Sequence, residues 1–289
     1  MQTITKDILS QVYPPRHPDA KKYDHGLLLV IGGGDFYTGS PALTALAAFR
    51  SGCDMVQVLA PQRAANIIAG FSPNLAVYPL TGLWLDQEDL PTLLYLTQSA
   101  EAVAPGKTAV VIGGGLGRSE DTQRTVQGYL EKTTNLRAVI DSDGIHAAAK
   151  KIEIIRGRNF IFTPHAYEFF ILTGQDIKNI EFSEKIKIVQ QEAAKLGGII
   201  VLKGRKDIIS DGQQVIIDET GSPYMAVGGT GDTLAGIAGS LLAQGAEPFL
   251  AAQAASFING KAGEAAAEKF AAGMMATDLI EEIPNIIKS

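Results

Sequence analysis

Cysteine is almost missing from this chain. One residue, Cys53, stands among 289. An internal disulfide framework and a cysteine-based metal site are both excluded, and Cys53 itself reads as a small core residue. Histidine is nearly as scarce, with four copies, and no Ser/His/Asp order can be singled out from them. His17 lies in a polar leader, His146 falls within a short helix, and His25 beside Gly26 is ambiguous. Basic excess is lacking too. The formal charge is -6, which argues against a broad nucleic-acid surface. No apolar run approaches the roughly 18 residues that cross a bilayer. Residues 1–24 form a polar leader with Asp7, Pro14, Pro15, Pro18 and Asp19, without the basic and apolar regions of a signal peptide. A cytoplasmic protein with no membrane partner is the default.

What is present is an alternation of short β-type runs with longer helical patterns. Leu27–Ile31, Met55–Leu59, Asn74–Leu80, Thr108–Ile112, Arg137–Asp141, Phe160–Thr163 and Ile199–Lys203 read as strands. Near-continuous apolar strands joined by helices predict an α/β fold with a mostly parallel central sheet and helices on both faces. Ile208-Ile209 and Val215–Ile217 flank Asp211-Gly212, a hairpin signal. The tail from Asp232 to Ile283 reads as helical. No linker rich in proline, serine or glycine divides the chain, so residues 1–289 are expected to form one domain.

The stretch Val227-Gly228-Gly229-Thr230-Gly231-Asp232-Thr233-Leu234-Ala235-Gly236 is the most telling. Glycines can turn backbone N–H groups inward, and a helix start adds partial positive charge, which together make an anion cradle. A carboxylate repels phosphate, so Asp232 fits such a place if it handles the proton of a group that reacts with that phosphate. The same residues also suit a plain helix N-terminus capped by Thr230 or Asp232.

Val30-Ile31-Gly32-Gly33-Gly34 and Val111-Ile112-Gly113-Gly114-Gly115 repeat the same five residues at two strand ends, where ligands of open parallel sheets bind. Neither is a dinucleotide fingerprint, and no P-loop is present. Four further segments fall at strand ends or helix starts. Tyr37-Thr38-Gly39-Ser40 precedes Pro41 and offers hydroxyls and helix N–H groups, or simply an N-cap. In Thr163-Pro164-His165-Ala166-Tyr167-Glu168 a strand ends and Pro164 starts a helix, which puts His165 and Glu168 three apart on one face; the pair suits a ligand, a water-bridged magnesium ion, or an ordinary first turn. Lys203-Gly204-Arg205-Lys206-Asp207 groups three cations suited to phosphate or to a solvated hairpin entry. Asp141-Ser142-Asp143 suits magnesium, a substrate hydroxyl, or a cap for the helix over Gly144–Lys150.

In this order, these segments resemble the ADP/ATP-dependent NAD(P)H-hydrate dehydratase family, related to the small-molecule kinases of the ribokinase-like fold. The resemblance runs from Leu9 to Ile283. It rests on Asp24-His25-Gly26 with the strand to Gly33; Tyr37-Thr38-Gly39; Gly113 to Arg118; Asp141 to Gly144; Thr163-Pro164-His165; Lys203-Gly204; Gly228 to Gly236; and Gly273-Met274 with Ala276–Ile280. His165 favours the dehydratase over the kinases, where asparagine is usual.

The resemblance implies a ribokinase-like three-layer sandwich and a carbon–oxygen lyase of metabolite repair. Such an enzyme dehydrates (S)-NADHX or NADPHX to NADH or NADPH, with ADP or ATP as co-substrate and Mg2+ as cofactor. It implies Asp232 as the catalytic base. Lys203, Gly204, Arg205, Lys206, Asp207, Gly228, Gly229, Thr230 and Gly231 would bind the nucleotide. Thr38, Gly39, Ser40, Gly117, His165 and Asp232 would face the hydrate, and Glu168 the metal. It leans towards ADP and a homotetramer. With Leu27 already beginning the first core strand, no fused epimerase domain is expected ahead, so a separate NAD(P)HX epimerase is the functional partner. The chain departs from the family pattern at Gly114, where proline is common, at Ser40, where alanine is common, and at Ala166-Tyr167, where Pro-Gly is typical. The alternatives are a kinase of a vitamin precursor and a non-enzymatic nucleotide-sensing module.

Overall fold

Leu27–Ile31 has no polar residue on either face, and a strand of that kind must be covered on both sides. All five residues are buried. The computed structural model of the chain describes residues 2–288. In chain order the strands are β1 (Gln2–Thr3), β2 (Leu27–Ile31), β3 (Met55–Pro61), β4 (Ala76–Leu80), β5 (Thr108–Ile112), β6 (Ala138–Ile140), β7 (Ile161–Phe162), β8 (Ile199–Leu202), β9 (Asp207–Ser210) and β10 (Val215–Asp218). They form one sheet in the order β1-β10-β9-β8-β7-β6-β5-β2-β3-β4. Every pairing is parallel except those of β9 with β8 and β10.

The helices are α1 (Ile8–Val12), α2 (Gly39–Arg50), α3 (Gln62–Ala69), α4 (Leu90–Val103), α5 (Glu120–Lys132), α6 (Asp143–Ala149), α7 (Ala166–Thr173), α8 (Phe182–Leu196), α9 (Thr230–Ala243), α10 (Pro248–Phe270) and α11 (Ala276–Ile287). Leu28 and Val30 of β2 face the core under α1–α3 and α9–α11. Leu27, Leu29 and Ile31 face a second core under α4–α8. Side-chain alternation along each strand thus feeds two separate apolar layers, as the α/β reading requires. The polar leader is not left apart: β1 joins the sheet beside β10, and Ile8, Leu9 and Val12 of α1 are buried in the first core.

Three local expectations change. The strands flanking Asp211-Gly212 are joined by residues 211–214, where Asp211 Oδ1 accepts from Gln213 N at 2.8 Å and Gln214 N at 2.7 Å. Side-chain turn chemistry of this kind lengthens the loop beyond a two-residue hairpin. The helix after β7 begins at Ala166, and His165 rather than a residue before Pro164 caps it. Ser40 is not an N-cap; it lies inside α2, one turn position past Thr38 and Gly39.

Two features aim the site. The chain leaves β2 towards β3 and β4 on one side, and later returns as β5 on the other. The gap between β2 and β5 is therefore a topological switch point, where open sheets bind ligands beyond their carboxyl ends. Above it, α9 lies hard against α2, because a Cβ on Gly236 would overlap the Thr44 carbonyl. That close approach brings the first turns of both helices to the same crevice.

Candidate active site

The two glycine repeats meet at the switch point. Gly33 N donates to Gly114 O at 2.8 Å and Gly113 N to Ile31 O at 3.2 Å. A Cβ on Gly32 would stand 2.6 Å from Gly114 O, so backbone replaces side chain here and the crevice floor stays thin.

Asp232 stands over this floor in the first turn of α9. Gly229, with φ +102°, takes the left-handed conformation that lets the loop turn into the helix. The anticipated cap by Thr230 or Asp232 does not form. Thr230 Oγ1 donates back to Met225 O at 2.9 Å and Val227 O at 3.2 Å, and Asp232 Oδ1 accepts from the Ser40 hydroxyl on α2. Burial pushes the Asp232 carboxyl up to about 6, and the charge of Asp141 adds to this. The Ser40 hydrogen bond and Lys203 oppose the rise. A half-buried carboxylate tuned towards neutral pH is a form expected of a general base.

Lys203, just past β8, supplies the counter-charge. Its Nζ lies 3.2 Å from Asp141 Oδ1 and 3.8 Å from Glu168 Oε2. The Thr163 hydroxyl donates to the same Asp141 oxygen at 2.6 Å. A Cβ on Gly231 would be 3.2 Å from the Lys203 ammonium, so this cation sits directly against the start of α9. The two carboxylates hold Lys203 in its charged form: burial alone would lower its pKa, yet it is raised.

His165 and Glu168 form a reciprocal cap. His165 Nδ1 accepts from Tyr167 N and Glu168 N, each at 3.2 Å, while Glu168 Oε2 accepts from His165 N at 2.9 Å. Glu168 is buried, and burial raises its carboxyl pKa against the pull of Lys203. Its Oε2 serves both His165 N and the Lys203 ammonium, while Oε1 lies 3.4 Å from His165 Nε2. No three His, Cys, Asp or Glu side chains among the described residues converge to hold a metal. The residues do not fit a protein-built magnesium cage, and Glu168, the expected metal ligand, acts as cap and ion-pair partner.

The remaining residues of the expected nucleotide segment divide. Gly204, Arg205 and Lys206 are exposed. Lys206 pairs with Glu219 and lies over the Phe182 ring at 5.8 Å. Asp207 turns inward, accepting from Gly204 N at 3.0 Å and Ser256 Oγ at 2.8 Å; burial pushes it up to about 6. Only Lys203 of the three cations joins the Asp141–Glu168–Asp232 group. Gly228 is exposed in the loop before α9. Thr38 and Gly39 begin α2 without a side-chain cap. Gly117 N donates to Asp143 Oδ2 at 2.9 Å, and Arg118 Nε to Asp143 Oδ1 at 2.7 Å. Sequence reading did not single out Trp84. Its indole covers Gly34 and Gly117, and with Arg118 it lines a cavity of about 520 Å³. A lone tryptophan far from any motif carries no signal of such a place.

The chain matches the family model described as NAD(P)H-hydrate dehydratase over residues 28–285. The chain belongs to the NAD(P)H-hydrate dehydratase family. Within that family it is 41% identical over 275 residues to the bifunctional NAD(P)H-hydrate repair enzyme of Pyrobaculum aerophilum, covering 94% of this chain and 52% of the relative. It thus spans about half the length of such bifunctional relatives. It is 34% identical over 285 residues to the ADP-dependent (S)-NAD(P)H-hydrate dehydratase of Cenarchaeum symbiosum, covering 99% of this chain and 96% of that one. The ADP/ATP-dependent NAD(P)H-hydrate dehydratase of Bacillus subtilis, co-crystallized with ATP/Mg2+, superposes with a TM-score of 0.79 at 24% identity, over 99% and 98% of the two chains. The last likeness shows a shared layered α/β fold.

Proposed function

We propose that this chain dehydrates (S)-NADHX and (S)-NADPHX back to NADH and NADPH at the expense of ADP or ATP. One observation carries the reading. A carboxylate tuned to about 6 stands at the start of α9, beside a lysine and above two glycine loops at the switch point. Family membership names the chemistry that such a carboxylate serves.

In this reading Asp232 takes the proton of the hydrate hydroxyl. The freed oxygen attacks the terminal phosphorus of the nucleotide, and the bond from that phosphorus to its bridging oxygen breaks. The shortened nucleotide leaves with the bond pair. The phosphorylated oxygen is then expelled as inorganic phosphate by the lone pair of the tetrahydropyridine ring nitrogen of the hydrate, and loss of a ring proton restores the dihydropyridine of the reduced nicotinamide. Lys203 and the N–H groups at the start of α9 balance charge on the phosphates, the main task in phosphoryl transfer. Arg205 is exposed and is proposed to reach the nucleotide. We give magnesium no protein ligand: this ion commonly arrives on substrate phosphates with its waters, and Glu168 is already engaged.

Ser40, Gly117 and His165 are proposed to face the hydrate, with Thr38 and Gly39. The proposal extends to one domain over 1–289, a cytoplasmic homotetramer, and an NAD(P)HX epimerase activity that feeds it the S epimer. Among the described residues no helix is long and apolar enough to cross a membrane.

The test is recovery of reduced-nicotinamide absorbance from hydrated NADH and hydrated NADPH, run in parallel with ADP and ATP. Recovery with either nucleotide, together with release of inorganic phosphate, is the expected result. No recovery with both would overturn the reading. A stable phosphorylated product from a vitamin-precursor alcohol would replace it with the kinase reading.

A further inference from the structure

We infer that Ser40 positions Asp232, and that Gly114 lacks a side chain so that the Ser40 hydroxyl can reach it. The inference rests on the reading of Asp232 as the base. Three elements converge here: the first turn of α2, the first turn of α9, and the loop after β5. Ser40 Oγ donates to Asp232 Oδ1 across 192 residues of chain. A Cβ built on Gly114 would overlap Ser40 Oγ. The same Cβ would stand 3.0 Å from Asp232 Oδ1 and 3.4 Å from Ser40 Cβ. Gly114 is not among the glycines with positive φ. Its backbone therefore admits alanine, and the serine oxygen is the main obstacle.

A serine hydroxyl has one proton to give. Spent on Oδ1, it fixes the rotation of the carboxylate and favours its ionised form. Asp232 Oδ2 makes no hydrogen bond within the described chain, which leaves it as the oxygen that receives the substrate proton. The charged groups facing Asp232 are Asp141 at the end of β6, Lys203 at the end of β8 and Glu168 on α7. All three stay in place in the variants below.

The experiment compares kcat/KM against pH, kcat, nucleotide KM and thermal unfolding for wild type, Ser40→Ala, Gly114→Ala and the double variant. Ser40→Ala should move the acid limb to higher pH and lower kcat by roughly tenfold or more, the scale of one hydrogen bond to a charged group. Nucleotide KM should hold within about twofold, because the contact is with the base. Gly114→Ala should reproduce the limb shift in the Ser40 background and cost about twofold or less in the Ser40→Ala background, where the obstructing oxygen is gone. An unmoved limb in Ser40→Ala, or an equal cost of Gly114→Ala in both backgrounds, overturns the inference. Should Gly114→Ala alone fail to fold, Ser40→Ala and the double variant still decide the matter. Asp232→Asn separates the two levels. Near-normal turnover in that variant overturns the base reading itself, whereas a dead Asp232→Asn with an unmoved limb in Ser40→Ala overturns only the role of Ser40.

Discussion

Lys203 and Asp141 pair at 3.2 Å across the carboxyl end of the sheet, one past β8 and the other past β6. The strand between them, β7, is followed directly by Thr163, whose hydroxyl donates to the same Asp141 oxygen. Three successive strand ends are thus tied by side chains, and the lysine is held where the start of α9 meets it. Glu168 is a second anion on the same ammonium, at 3.8 Å. A cation so placed can lend its charge to a phosphate bound at the start of α9.

Lys203→Met should weaken ADP binding by about 1.5–3 kcal/mol, the value of one charged hydrogen bond. Isothermal titration of ADP checks this. Lys203 lowers the pKa of both Asp232 and Glu168, so its removal should also shift the acid limb of kcat/KM to higher pH. Thermal unfolding should fall, since Asp141 and Glu168 lose their shared counter-ion while buried. Unchanged ADP affinity would place Lys203 outside the nucleotide site.

Asp232→Asn should lower turnover by roughly 10²–10⁴-fold while ADP still binds. The wild-type enzyme should lose kcat/KM below about pH 6, where Asp232 takes up its proton. Stability should move the other way. Asp232 has a folded pKa of about 6 against an ordinary value of 3.8, so the folded state binds this proton more tightly and is destabilised as pH rises through that window. Asn does not titrate. The variant should therefore melt higher than wild type above about pH 6, with the gap closing as pH falls towards 3.8. Calorimetry between those limits reads the sign.

His165→Ala should cost about 1 kcal/mol of stability through loss of the cap on α7. His165→Asn should retain most of it, because asparagine is a good N-cap residue. Turnover need not follow stability. If His165 faces the hydrate, both variants raise KM for the hydrate, and equal KM values across all three proteins would confine His165 to the cap.

Cys53 is buried, its Sγ 3.3 Å from Met55 O, and burial pushes its thiol up to about 12. The thiolate is the reactive form. Folded protein at pH 8 should resist a disulfide-exchange reagent, with one thiol appearing only on denaturation. Rapid labelling of the folded protein would contradict the burial.

The layered fold was largely legible because its strands are short, apolar and uninterrupted. Leu27–Ile31 and Thr108–Ile112 appear at the expected residues. The ordered motifs were legible as well, since glycines at strand ends and a carboxylate at a helix start are local signals. Other features were not. His165 and Glu168 looked like a ligand pair, but the same spacing makes a capping box, and only burial of Glu168 beside Lys203 shows how its oxygens are used. Ser40 looked like an N-cap because serine before proline usually is one; its partner lies on another helix. The departures at Ser40 and Gly114 read as two separate oddities in the chain, yet in space one fills the room the other leaves.

The sequence by itself determined most of the core strands, the family, and which residue types stand at each strand end. These follow from local periodicity and from motifs a few residues long. Tertiary structure alone decided which of them touch. Lys203 meets Asp141 and Glu168, Lys206 turns to Glu219, and Ser40 finds Asp232. The physical reason is that proximity at a switch point depends on sheet order and on how closely α2 and α9 approach, and both are properties of the packed chain rather than of any segment in it.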